Sequence, residues 1–207
     1  MNIAIVILAA GAASRMGTVK QNLEFNGTTL LGNAIDQALA TGVQNVYCVL
    51  GAHFETVANN IQDTAVTVIE NKNWKNGLGS SIACGIKNVE VNNLDAVLVM
   101  LADQPLIDAE YLKQLIQTAT EHPQSCVASD YGKKNGVPAV FPMQYFKELE
   151  RLSGDQGAKE LLNSPGTSVI KLDARDRVWD IDTPEEYARL LKKITLFLSS
   201  NFHKLKQ

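Results

Sequence analysis

Short, almost uninterrupted apolar runs alternate along the chain with stretches in which apolar residues recur every three or four positions. The runs at 3–9, 45–50, 66–70, 95–101 and 125–130 are rich in β-branched residues and lack polar alternation, as strands buried on both faces do. Between them the helical period predicts helices over about 29–41, 54–62, 79–89 and 108–121. Alternation of this kind predicts a three-layer α/β/α, Rossmann-like architecture, a mostly parallel sheet with helices on both faces. Ligands of such sheets sit outside the carboxyl ends of the strands, so the segments after Leu8, Leu50, Glu70 and Leu101 are expected to share one rim.

After Asp130 the pattern loosens. Tyr131 to Gly136 reads as a turn between two extended segments, with Asn135-Gly136 as the hairpin signal, which predicts a small β-hairpin insertion. Pro138 interrupts the next apolar run, 137–141, and predicts an edge or active-site strand rather than a central one. Helices are expected at about 143–151 and 156–162 and a strand at 168–172. The last helix should open on Thr183 as its cap with Pro184 in the first turn, where Glu185 and Glu186 suit the helix dipole. The stretch from Leu190 to Leu205 mixes Leu191, Ile194, Leu198 and Phe202 with lysines. It is expected to be a helical extension, about 190–207, covering the core or a dimer surface.

Composition narrows the function classes. A chain of 207 residues is long enough for one well-buried α/β domain and marginal for two, so a single domain over 1–207 is expected, as a monomer or weak homodimer. The net charge of −3 gives no electrostatic footprint for nucleic acid or an anionic membrane, so any anion site must be local. No apolar run approaches the roughly 20 residues of a membrane helix, and Met1 leads into a strand without a basic segment, so no secretory signal is expected. Cys48, Cys84 and Cys126 have no metal-binding spacing and read as small buried residues of a reducing, cytoplasmic environment.

Candidate chemistry begins where the first strand ends. Gly11 allows a sharp turn, and Ala12, Ala13 and Ser14 keep the following loop thin enough for an anion to reach main-chain N–H groups. Arg15 and Lys20 add a guanidinium fork and an ammonium point charge. Thr18-Val19 after Gly17 excludes a Walker loop. The missing G-x-G-x-x-G, with Gly51 rather than an acid after the second strand, disfavours a nicotinamide oxidoreductase. Asp103 follows the wholly apolar run 96–101, where a carboxylate can hold a hard cation against a phosphate; Asp108 is better placed than Asp103 to cap the next helix. Asp180 and Asp182 flank Ile181 and point to one side of an extended segment. Asp180 could orient Lys20 or Arg15, or cap a turn. Gly79, Ser80 and Ser81 open a helix and could cap it and do nothing more. His53, His122 and His203 are scattered and suggest no relay.

The loop L-A-A-G-x-x-S-R-M-G-x-x-K, residues 8–20, resembles the signature loop of the MobA-like nucleotidyltransferases, and within them the molybdenum cofactor cytidylyltransferases. The likeness recurs in order at Gly77-Leu78-Gly79-Ser80-Ser81, Leu101-Ala102-Asp103-Gln104-Pro105, Gly136-Val137-Pro138, Gly154-Asp155-Gln156-Gly157-Ala158 and Asp180-Ile181-Asp182-Thr183-Pro184. The resemblance implies Mg²⁺ held by Asp103 and Asp182, with Arg15, Lys20 and Asp103 as catalytic residues. It places the nucleotide on Ala9, Ala10, Gly11, Ser14, Arg15 and Lys20, with Gly79, Ser80 and Ser81 beside the base. Ala10 stands where related guanylyltransferases usually carry Gly, which points to a pyrimidine. The implied reaction is transfer of CMP from CTP to a phosphate acceptor, molybdopterin, with release of pyrophosphate. Transfer to an ionised phosphate needs no general base, since positioning and charge neutralisation supply most of the acceleration. Alternatives are use of GTP, a sugar or alditol phosphate acceptor, or a non-catalytic nucleotide- or cofactor-binding protein on the same fold. Three positions depart from the family pattern: Lys159, where Arg is usual, and Asn22 and Glu24, where an apolar residue and proline are common.

Overall fold

The computed structural model describes residues 1–89 and 94–204, with side chains described through 195. Its strands are β1 (Ile3–Ala9), β2 (Glu24–Phe25), β3 (Thr28–Thr29), β4 (Asn45–Leu50), β5 (Thr67–Glu70), β6 (Ala96–Leu101), β7 (Cys126–Asp130), β8 (Asn135–Pro142) and β9 (Val169–Asp173). The helices are α1 (Leu30–Leu39), α2 (Phe54–Asn59), α3 (Gly77–Asn88), α4 (Ala109–Glu121), α5 (Phe146–Leu149), α6 (Lys159–Leu162) and α7 (Pro184–Lys204). Seven strands form one sheet in the order β5-β4-β1-β6-β8-β7-β9, and β2 and β3 pair separately.

The period-2 geometry of β1 builds the core on both sides of this sheet. Ile3, Ile5, Ile7 and Ala9 face a cluster filled by α1, α2 and α4, while Ala4, Val6 and Leu8 face one filled by α3, α5 and α6. β1 runs parallel to both neighbours, and its register sets Ala9 beside Leu50 and Leu8 beside Leu101. The ends of β1, β4 and β6 therefore lie level, and the loops that follow them meet at one rim. Caps sharpen the helices: Thr29 accepts from Gly32 N at 3.0 Å, and Asp108 accepts from Tyr111 N at 2.8 Å. Asp108 is the cap of α4, which leaves Asp103 free of that role.

One expectation for the second half is corrected and another is refined. The segment containing Pro138 is interior: β8 lies between β6 and β7 and runs antiparallel to both. Proline is tolerated there because the pairing shifts register between Ala128 and Ser129, and Ser129 Oγ donates to Pro138 O at 2.7 Å. The expected turn between two extended segments is present as the antiparallel β7–β8 connection, but it lies before Asn135-Gly136, around Gly132 at φ +91°, and those strands belong to the main sheet. Asn135 is buried, with Nδ2 on Leu162 O at 3.0 Å, and Gly136 makes room for the Tyr131 ring, which a Cβ there would meet at 2.8 Å. The separate hairpin is β2–β3, turned by another Asn-Gly pair, Asn26 and Gly27, at φ +49° and +80°.

The helices expected near 143–151 and 156–162 are shorter, α5 being preceded by a 3-10 turn at Met143–Tyr145. On α7, Leu190 is buried and Ile194 packs with Met16, Phe25, Leu30 and Ile181, while Leu191 is exposed. The side chains of Leu198 and Phe202, and Leu205 itself, lie outside the described residues. No described helix is long and apolar enough to cross a membrane.

Candidate functional site

A cavity of about 460 Å³ opens at the rim, lined by Ala9–Ala12, Lys20 and Gln21, by Trp74, Lys75, Gly77, Leu78 and Ser81, and by Asp103, Asp180 and Asp182. Loops after β1, β5 and β6 thus meet as the strand pattern predicts. The first loop is thin, and Gly11, Ser14 and Arg15 are exposed, while Met16 is buried with Ile181 and Leu190 and pins the loop from behind. Among the described residues, the N–H groups of Gly11 to Arg15 donate to no backbone acceptor. Unpaired N–H groups on a small-residue loop form a concavity for an anion.

Opposite lies an acidic rim. Ile181 N donates to Asp103 O at 3.0 Å, which ties the loop after β6 to the segment before α7. Lys20 completes the link: its Nζ lies 2.5 Å from Asp103 Oδ2, 2.9 Å from Asp182 Oδ1 and 3.3 Å from Ile181 O. Burial acts to lower the Lys20 pKa, but the two carboxylates outweigh it and the net direction is upward. For Asp182, burial raises the pKa while Lys20 and Arg15 lower it, and the net direction is downward. Arg15 therefore contributes its charge to the rim although it is exposed.

Asp180 takes neither role foreseen for it. Its Oδ1 accepts from Gln104 Nε2 at 2.8 Å, and the same nitrogen lies 3.1 Å from Tyr131 OH, which donates to Val137 O. Burial, reinforced by the neighbouring Asp103 charge, raises its pKa. Asp182 is placed by a capping box. Glu186 Oε2 accepts from both Asp182 N and Thr183 N at 2.9 Å, and Thr183 Oγ1 accepts from Glu186 N at 3.2 Å.

The three residues at the start of α3 separate. Gly79 is buried, its N–H donates to Gly154 O at 2.8 Å, and a Cβ there would meet Ser153 backbone at 2.7 Å. Its small size serves the approach of the 153–157 loop. Ser80 Oγ donates to Gly77 O at 2.8 Å and Asn73 O at 3.0 Å. Ser81 lines the cavity and, with Ser80, accepts from Asn71 Nδ2 at 3.0 Å. Lys159, on α6, is not among the cavity-lining residues, whereas Asp155 of the same motif is. Cys48 and Cys126 are buried, which pushes their thiols up to about 12, and neither lines the cavity.

Gln21, Asn71, Trp74, Gln104 and Glu186 have no site role in the sequence reading. The Thr183-x-x-Glu186 spacing was a readable capping-box signal for the last. The others needed tertiary contacts. For a metal, the donor set fits a hard divalent cation: Asp103 Oδ1 is buried without a hydrogen-bond partner, and Asp182 stands beside it across Lys20. Among the described residues no group of three or more His, Cys, Asp or Glu could hold a metal, so the fit is to an ion that needs one or two carboxylates and takes phosphate and water oxygens besides.

Residues 5–170 match the MobA-like NTP transferase domain. The chain is 30% identical to the purine catabolism protein PucB of Bacillus subtilis, over 88% of this chain and 92% of PucB. It is 29% identical to the nicotine blue oxidoreductase of Paenarthrobacter nicotinovorans, over 90% and 95%. Among solved structures it is similar to Rv0371c from Mycobacterium tuberculosis, at 30% identity, a TM-score of 0.77 and coverage of 93% of this chain and 99% of that one. Rv0371c has also been solved in complex with manganese, with a TM-score of 0.75 to this chain at 28% identity and the same coverages.

Proposed function

The chain belongs to the MobA-like NTP transferase family, and from that premise we propose that it is a Mg²⁺-dependent cytidylyltransferase that moves CMP from CTP to molybdopterin. The observation that carries the reading is the meeting of Lys20 with Asp103 and Asp182, opposite a loop of unpaired main-chain N–H groups. An oxygen of the acceptor phosphate attacks the α-phosphorus of CTP, forming the new P–O bond as the bond to the β-phosphate breaks, and pyrophosphate leaves toward the loop 11–20. The N–H groups of that loop, with Arg15 and Lys20, hold the leaving oxygens and neutralise their charge. Asp103 and Asp182 would hold the divalent cation, which supplies Lewis-acid stabilisation of phosphate oxygens when bound. Ser81 and the segment from Trp74 line the part of the cavity assigned to the base.

The motif resemblance supports CTP and molybdopterin; the names of the relatives do not converge on one acceptor. Pyrophosphate release, with Mg²⁺ and molybdopterin, from CTP, GTP and UTP in turn tests the reading, and release is expected with CTP. Release with another NTP, or only with a sugar or alditol phosphate, reassigns the substrates within the transferases. No release with any NTP overturns the enzyme reading and leaves a nucleotide- or cofactor-binding protein. Because one relative is named an oxidoreductase, a spectroscopic titration with NADH belongs beside it, and no binding is expected.

A further inference from the structure

Gln21 has no role in the reaction just described, yet its amide lies at the centre of the phosphate loop. The residue lines the cavity and is 3% exposed. Its Nε2 donates at 2.9 Å to Ala9 O and at 2.9 Å to Gly11 O. The carbonyl between them, Ala10 O, accepts from Ala52 N at 3.0 Å. Three consecutive carbonyls, whose negative ends repel phosphate, are therefore all held by donors of the protein. The N–H groups that follow, Gly11 to Arg15, have no described backbone acceptor.

Gln21 Oε1 has no partner. Exchanging the amide's oxygen and nitrogen would set an acceptor against two carbonyls, so the network fixes which atom donates. A buried amide with one end unsatisfied is a costly way to fill space, because its Oε1 is desolvated without a partner. What the amide does is span the turn with two donors.

We infer that Gln21 is the positioning residue of the phosphate loop, fixing the Ala9 and Gly11 carbonyls away from the ligand so that the loop's N–H groups face a di- or triphosphate chain. It acts through the loop and serves the phosphates, not the base. The inference rests on the nucleotide-binding reading above. The test is titration of the whole protein, with Mg²⁺ present, by CTP, pyrophosphate and CMP, comparing wild type with Gln21→Met, which keeps the length and loses both donors. Affinity for CTP and pyrophosphate should fall about tenfold, the effect of a lost phosphate-facing hydrogen bond, with a much smaller change for CMP. In turnover, KM for CTP should rise more than kcat falls. Should Gln21→Met fail to fold by circular dichroism, Gln21→Leu, which also lacks both donors and adds no charge, should show the same selective loss. A folded variant with unchanged CTP and pyrophosphate affinity overturns the inference, as does an equal loss on all three ligands. A wild-type protein that binds neither pyrophosphate nor any NTP overturns the nucleotide reading itself, and the role of Gln21 with it.

Discussion

On one side of the cavity the loop from Ala9 to Lys20 offers main-chain N–H groups on small residues; on the other, Asp103, Asp180 and Asp182 offer carboxylates. The two sides are held by opposite means. The loop is fixed from behind, by Met16 in a satellite core and by Gln21 and Ala52 on its carbonyls, and the N–H groups of Gly11 to Arg15 have no backbone acceptor. The rim is fixed by its functional groups themselves, since Lys20 binds both Asp103 and Asp182 and Gln104 binds Asp180. Most side-chain changes on the exposed face of the loop should therefore alter binding modestly, whereas any change at the rim disturbs both charge and structure.

The largest effect should come from the rim carboxylate with an orphaned oxygen. Asp103→Asn should lower kcat/KM for pyrophosphate release about 10²–10³-fold, the scale of removing one transition-state electrostatic partner, with an unchanged far-ultraviolet circular dichroism spectrum. Unchanged turnover would remove Asp103 from the mechanism.

Lys20→Met separates the structural from the catalytic use of the ammonium. It leaves a largely buried and a more exposed carboxyl group facing each other and should cost about 1–3 kcal/mol, less than a fully buried pair because Asp182 is 41% exposed. Thermal unfolding should show that Mg²⁺ raises the Tm of this variant more than that of the wild type. The pH dependence has a definite sign. The raised Lys20 pKa makes its contribution fully present at neutral pH, to be lost only as pH rises through its folded value. The lowered Asp182 pKa makes its share present above the ordinary carboxylate value of about 3.9 and lost as pH falls through the folded one. The stability gap between wild type and Lys20→Met should thus close in acid and stay constant from pH 6 to 8 (about the neutral range in which neither group titrates).

Glu186→Ala tests whether the rim's placement depends on the α7 cap. Loss of the two N–H acceptors should cost about 0.5–2 kcal/mol in denaturant unfolding, with a rise in the KM for Mg²⁺. The smallest effect belongs to Asp180. Its pKa is raised, so its ionised form burdens the folded state at neutral pH, and that burden is absent below the ordinary value of about 3.9. Asp180→Asn should raise the neutral-pH Tm, and the difference should vanish in acid.

The same contrast explains what was legible in the sequence. The parallel half could be read because its strands are buried on both faces and local pattern decides them: 3–9 and 45–50 match β1 and β4 to the residue. In the antiparallel half the strands at 125–130, 137–141 and 168–172 are legible too, but two local signals are overridden by tertiary contacts. Asn135-Gly136 carries the same dipeptide as the Asn26-Gly27 turn, but Asn135 is tied to Leu162 and Gly136 to the Tyr131 ring. Pro138 reads as an edge residue and sits inside the sheet because the neighbouring strand shifts register. At the site, the charged residues of the motifs were visible, but the roles of the amides that order the loops around them were not. Gln21, Asn71 and Gln104 act on groups at sequence separations of 9 to 76, and no local pattern announces them.

Joint use of loop and rim is most directly tested by calorimetric titration of CTP into the wild-type protein with Mg²⁺ and again with the metal chelated. The two-sided site predicts binding with Mg²⁺ and at least about tenfold weaker binding without it, since the acidic rim then faces the phosphates uncompensated. Equal affinity in both conditions would contradict it.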